Sequence, residues 1–78
     1  MDLEKIDEDM FLIEVGKRIR SIRKRKGLTL YQVEDAGWAC WQHMQRVETN
    51  GQNLRLLTLR RIAKLYGITL SELFSELE

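Results

Sequence analysis

The chain has 78 residues, 44% hydrophobic and 32% charged, which supplies one small core and excludes both a disordered segment and a multidomain enzyme. Thirteen Lys and Arg against twelve Asp and Glu give a formal net charge of +1, and that average taken alone argues against a nucleic-acid or membrane partner. Cys40 is the only cysteine, so no internal disulfide and no multi-cysteine zinc site can form.

The average conceals a partition along the chain. Residues 1–14 hold six acids and Lys5, whereas residues 15–28 hold Lys17, Arg18, Arg20, Arg23, Lys24, Arg25 and Lys26 with no acid. A second basic block, Arg55, Arg60, Arg61 and Lys64, lies in residues 51–67, between a slightly acidic middle and an acidic end. A surface of this kind can hold a polyanion although the whole is nearly neutral, and it is also what ordinary solvated helix faces look like. No run of eighteen apolar residues exists, and Met1-Asp2-Leu3-Glu4 is acidic where a secretory signal is basic and then apolar, so a cytoplasmic protein is expected.

With no proline and no strict alternation, the chain reads as all-α. The acidic start, residues 1–9, carries Leu3 and Ile6 and leads to Met10 and Ile13 at spacings of 3, 4 and 3. It is a helical extension or, because chain ends are usually loose, a solvated arm, and the arm is the favoured reading. As a functional arm it would pair two copies or compete for the basic block. Phe11, Val15, Ile19 and Ile22 predict a first helix over Met10–Lys26, ended by Gly27. Thr29-Leu30-Tyr31-Gln32 has capping-box spacing and opens a second helix, which Gly37 ends after two turns.

A third helix is predicted from about Ala39 to Thr49, with Cys40, Met44 and Val47 on one face and Asn50-Gly51 as its stop. Leu56, Leu59, Ile62, Ala63 and Tyr66 line a fourth, stopped by Gly67. Thr69-Leu70-Ser71-Glu72 is a second capping-box spacing, and Leu70, Leu73, Phe74 and Leu77 give a fifth helix its apolar side. Short links force neighbours to pack directly, which predicts a compact five-helix bundle forming a single domain over residues 1–78.

Residues 29–49, a two-turn helix, a turn and a third helix, describe a helix-turn-helix. Opposite Met44 and Val47, the third helix presents Gln42, Gln45, Arg46 and Thr49, flanked by Trp41 and Glu48 on one side and His43 on the other. Glutamine can pair bidentately with adenine and arginine with guanine in the major groove, although any surface helix has a polar outer face. Glu48 is the only acid between Asp35 and Glu72. Beside an apolar seam a carboxylate needs a cation, and Arg23, next to Ile22, is the candidate partner for orienting the third helix.

Val15-Gly16-Lys17-Arg18-Ile19-Arg20-Ser21-Ile22-Arg23 followed by Gly27-Leu28-Thr29 resembles the opening of the phage-repressor and Cro-like (XRE-type) helix-turn-helix family. Val33, Met44, Val47 and Glu48 continue the match, and Asn53, Leu56, Leu59, Ile62-Ala63-Lys64 and Gly67-Ile68-Thr69 extend it through the closing helices, so the resemblance covers residues 15–77. It implies a lambda-repressor-like fold and a sequence-specific transcriptional regulator bound to double-stranded DNA as a homodimer on a palindromic operator, the third helix in the major groove. It also places base contacts at Trp41, Gln42, Gln45 and Arg46. Backbone contacts are expected at Arg18, Thr29, Cys40, His43, Asn50, Gln52, Asn53 and Arg55. Arg23 and Glu48 fall on the family's inter-helix ion pair, and Leu70, Phe74 and Leu77 on the C-terminal helix are the expected dimer interface. The short chain, with no separate sensing region, suggests control by concentration, as for phage repressors or the controller proteins of restriction–modification systems.

Three positions depart from the family pattern. Glu34 replaces a small residue of the second helix, Gly37 comes one place early with Trp38 in its stead, and Trp41 stands at the tip of the third helix, so the turn must bend differently. Trp38 is expected to fill the space between the first and third helices, while Trp41 is balanced between packing and contact. Cys40 and His43 have no further Cys or His to complete a metal site, and no nucleophile motif or phosphate loop occurs, so neither metal, cofactor nor enzyme activity is expected. The rival to a DNA-binding protein is an antitoxin-like or antirepressor-like protein-interaction module on the same fold.

Overall fold

With no proline anywhere and no glycine before Gly16, nothing in the first fifteen residues interrupts helical hydrogen bonding. In the computed structural model, which describes residues 3–77, helix α1 runs unbroken over Leu3–Arg25. The solvated arm expected at residues 1–9 is corrected accordingly: from Leu3 onward it is the start of α1, ahead of the anticipated Met10, while residues 1 and 2 lie outside the described residues. The other helices are α2 (Leu30–Asp35), α3 (Trp41–Thr49), α4 (Leu56–Leu65) and α5 (Leu70–Phe74), with no strand among the described residues. Helix α3 begins two residues after the expected Ala39, because residues 36–40 are taken up by the turn.

Every helix contributes to one core. Val15, Ile19 and Ile22 of α1 meet Val33 of α2, Met44 and Val47 of α3, Ile62 of α4 and Leu73 of α5, with Tyr66 closing α4. Fully burying an aliphatic side chain of this size is worth roughly 1.5–3 kcal/mol, so this cluster is the main source of stability. Phe11 and Leu56, assigned to apolar faces from their spacing, lie outside it; Leu56, in the first turn of α4, is 70% exposed.

Helix α2 ends in a reversal that also explains the displaced glycine. Gly37 has φ +119°, its N–H donates to Glu34 O at 3.0 Å, and the Trp38 N–H donates to Val33 O at 3.2 Å. This Schellman pairing puts an apolar residue immediately after the glycine, so Trp38 turns back against the core. The ends of α1 and α4 use the same bonds, Leu28 to Arg23 O and Ile68 to Ala63 O. Both expected capping boxes form, Thr29 with Gln32 and Thr69 with Glu72.

Helix α1 packs on α3 at a single glycine. A Cβ built on Gly16 would stand 2.7 Å from Val47 O and 2.9 Å from Glu48 O, so only glycine lets the two backbones approach this closely. On the α5 side Arg18 acts as a cap. Its Nε donates to Leu73 O at 3.1 Å, and its Nη2 donates to Glu72 O at 2.8 Å and to Ser75 Oγ at 3.2 Å. These carbonyls belong to the last turn of α5, where intrahelical donors run out; Glu72 O also accepts from Ser75 N at 3.3 Å and from Ser75 Oγ at 2.9 Å.

Candidate nucleic-acid interface

What α3 can present depends on how it is held, and three polar or aromatic contacts add to its packing through Met44 and Val47 and against Gly16. Arg23 of α1 meets Glu48 of α3 in a bidentate pair, Nε to Oε2 at 2.7 Å and Nη2 to Oε1 at 2.9 Å, both side chains buried. The remaining guanidinium nitrogen, Nη1, donates to Leu28 O at 2.8 Å, so the planar fork ties α1, the α1–α2 turn and α3 together. The hydrogen bonds to Glu48 raise the pKa of Arg23 against the opposing effect of burial. Beside the pair, the buried Tyr66 hydroxyl has no hydrogen-bond partner among the described residues. Burial pushes its pKa well up, with the Glu48 carboxylate adding to that and Arg23 opposing it.

The second contact is made by Glu34. Cys40, the N-cap of α3, makes no side-chain cap bond, and the free Trp41 N–H donates instead to Glu34 Oε1 at 3.1 Å. The departure from a small residue at position 34 is therefore a cap supplied from α2, and a carboxylate there also suits the positive end of the α3 dipole. Sequence reading missed this role. The signal was present in Cys40, a poor N-cap type at a helix start, which leaves a donor to be satisfied from elsewhere.

The third contact is aromatic. Trp38 Nε1 donates to His43 Nδ1 at 3.0 Å, and the two rings stack at 5.7 Å. Because Nδ1 accepts, Nε2 is the ring nitrogen left to donate, on a side chain that is half-exposed. Trp41 packs on Tyr31 of α2, with ring centroids 5.2 Å apart and a 57° tilt. Trp41 is half-buried and Tyr31 is 63% exposed, so the pair forms an aromatic ridge beside α3.

Against this bracing, Gln42, Gln45 and Arg46 are exposed along the outer face of α3, opposite the buried Met44, Val47 and Glu48. Thr49 Oγ1 donates back to Gln45 O at 2.8 Å. Past the helix, Asn50, Asn53 and Arg55 are exposed and Gln52 half-exposed, while Gly51 packs on Ile13 of α1. Thr29 is exposed at the start of α2, its Oγ1 accepting from Gln32 N at 3.1 Å, so its hydroxyl proton is still available.

Arg18 is the position that needs correcting. Expected to touch the DNA backbone, it is buried, bonded to the end of α5, and its Nη1 lies 3.3 Å from Glu76 Oε2. Its charge is spent inside the protein. Leu70, Phe74 and Leu77 are half-exposed and share a groove with Phe11, while Leu73 between them is fully buried. Cys40 and His43 belong to no cluster of metal-ligating residues, and no helix among the described residues is long and apolar enough to cross a membrane.

Comparison with known proteins gives one kind of relative. The HTH-type transcriptional regulator PuuR of Escherichia coli (strain K12) is 32% identical over 63 residues, which is 81% of this chain and 34% of that protein. PuuR of Shigella flexneri matches with the same identity and coverage. The chain thus spans about a third of the length of the curated relatives it matches. No family model matches, and no solved structure does. Over most of its length, then, this chain is similar to part of a helix-turn-helix transcriptional regulator, in keeping with a small all-helical fold whose braced third helix shows a polar face.

Proposed function

We propose that this chain is the DNA-binding part of a transcriptional regulator and reads a specific sequence with α3 in the major groove. The observation that carries the proposal is the exposed row Gln42, Gln45 and Arg46 on a short helix held by the buried Arg23–Glu48 pair. Rigidity matters here, because bidentate base recognition is directional and a helix free to tilt would lose it. Trp41, carried on the Tyr31 ring, meets a thymine methyl or the neighbouring sugar. Thr29, Cys40, His43 through Nε2, Asn50, Gln52, Asn53 and Arg55 line the phosphate path on either side of α3; Arg18 does not take part. Two copies bind a palindrome with half-sites about one helical turn, ~34 Å, apart. Leu70, Phe74 and Leu77 are the surface proposed to join those copies, and a phage-repressor-like or restriction–modification controller-like regulator is the finer form of the reading.

Selection of bound sequences from a random DNA pool tests the proposal. An enriched palindrome is expected, and replacing Arg46 by alanine should cost about 1–3 kcal/mol at one base position while leaving the others unchanged. One observation favours the rival protein-interaction module, namely the exposed aromatic ridge of Tyr31 and Trp41. Salt separates the two. DNA binding should weaken steeply with added salt, whereas an aromatic protein contact should be nearly indifferent.

A further inference from the structure

Helix α1 carries two apolar faces. At 100° per residue, Val15, Ile19 and Ile22 point together into the core, and Leu3, Ile6, Met10 and Ile13 point together in roughly the opposite direction. The second set is exposed, with Leu3 at 76% and Met10 at 62%; Ile13, at 43%, touches Gly51 with one edge and leaves the rest of its side chain open. Its 3-4-3 spacing is that of a coiled-coil seam, and the same seam continues in step through Lys17, Arg20 and Lys24. One outward face of one helix is therefore apolar with acidic flanks, Asp7, Asp9 and Glu14, along its first half, and basic along its second.

We propose that this outer face of α1 pairs antiparallel with α1 of a second copy, the acidic half of each lying on the basic half of the other. Charge chooses the arrangement. A parallel pair sets acid against acid and base against base, and an antiparallel pair confined to the four apolar residues surrounds them with carboxylates on both sides. Sliding to the register that matches unlike halves places Met10 against Ile13 of the second copy at the centre. Ile6 then lies against Lys17 and Leu3 against Arg20 of that copy, for an overlap of about 27 Å at helical rise. The lysine and arginine stems cover the apolar seam while their charged ends reach the flanking carboxylates. Within one chain Lys17 Nζ already lies 3.4 Å from Glu14 Oε1, but both side chains are exposed and such a pair is readily exchanged for one between copies. The contact borders the groove of Leu70, Phe74 and Leu77, since Asp7, Met10 and Glu14 share a depression with Leu77, but it runs along α1 away from Leu70 and Phe74 and does not depend on the DNA-binding reading.

Sedimentation equilibrium of the whole chain without DNA tests the pairing. The unaltered chain should dimerise and do so less in high salt. The double variant Lys17→Glu/Arg20→Glu should associate at least tenfold more weakly, and so should Asp7→Lys/Asp9→Lys, each keeping its helix content by circular dichroism. An equimolar mixture of the two variants should regain association, because each then offers the charge the other lacks. A monomeric unaltered chain overturns the proposal, as does association no weaker in Lys17→Glu/Arg20→Glu than in the unaltered chain, or a mixture that fails to regain what each variant loses; a weaker dimer that persists in both variants and in their mixture alike belongs to the groove of Leu70, Phe74 and Leu77. Failure of the mixture, together with capture of the unaltered chain by a basic amphipathic peptide, would assign the face to a foreign basic helix.

Discussion

The two halves of α1 share one backbone and little else. From Val15 to Arg25 the helix carries three core aliphatics, the glycine that admits α3 and two buried arginines, and from Leu3 to Glu14 it carries no buried residue. Helical spacing of apolar residues is nevertheless as regular in the first half as in the second. Periodicity reports that a face exists; only the neighbours decide whether it is covered. The inner half has α3 on one side and α5 on the other, and its charged residues are placed accordingly, Arg23 toward Glu48 and Arg18 toward the end of α5. The outer half projects beyond them, which is why the chain extends 42 Å along its longest axis but only 24 and 21 Å across.

The largest effects should come from the inner half and its partners. Replacing Glu48 by alanine leaves the Arg23 guanidinium buried with only Leu28 O to bond, a loss of about 3–5 kcal/mol for a broken buried pair. Urea denaturation reads it directly. Glu48→Gln should lose less but still lower both the midpoint and any DNA affinity, and a variant matching the unaltered chain in both would remove the pair from the account of how α3 is held. Next is a test within the helix itself. Ile19→Ala should cost about 2–5 kcal/mol through the cavity it opens, while Met10→Ala, on the exposed seam, should stay within about 0.5 kcal/mol for the monomer. Equal losses at both positions would end the distinction between the halves.

The arginines give the same contrast in charge. Arg18→Ala removes the guanidinium donor from the Leu73 carbonyl and one of three donors from the Glu72 carbonyl, and should cost about 1.5–3 kcal/mol, typical of hydrogen bonds from a charged group. Arg20→Ala, two residues on and exposed, should be near neutral in the monomer. If Arg18→Ala instead weakened DNA binding with unchanged melting, Arg18 would return to the phosphate contacts.

Arg18 also marks where the sequence stops being legible. Helix number, the glycine stops, both capping boxes and most of the core follow from local spacing, because each is decided within a turn or two of chain. The Arg23–Glu48 pair was readable too, since a lone carboxylate beside an apolar seam has few cations to choose from. What could not be read depends on elements distant in sequence. Arg18 lies in a run of seven basic residues, and nothing local distinguishes the one that turns toward α5, 55 residues away at Leu73. Glu34 looked like a misfit in α2 because its partner is an amide of α3. Leu56 and Phe11 followed the periodicity of their helices and still fell outside the core: Leu56 stands in the first turn of α4, and Phe11 on the half of α1 that carries no buried residue.

The smallest effect expected at neutral pH lies at the foot of the inner half, where Tyr66 is buried near the Arg23–Glu48 pair with its hydroxyl unpaired. Tyr66→Phe removes a polar atom that makes no bond and should be neutral or slightly stabilising, within about 1 kcal/mol, at pH 7. Alkaline solution separates the two side chains. Burial holds the native hydroxyl protonated above its ordinary pKa of 10.0, so past that pH the unfolded chain releases a proton that the folded chain keeps. The unfolded state is then favoured, and stability present below pH 10 should decline as pH rises, by up to about 1.4 kcal/mol per unit from this one group. The Phe variant should lack that part of the slope, so the two melting curves should coincide near neutrality and diverge above pH 10. Parallel curves would mean that the Tyr66 hydroxyl reaches solvent, and that the packing around the ion pair is looser than its 2.7 Å contact implies.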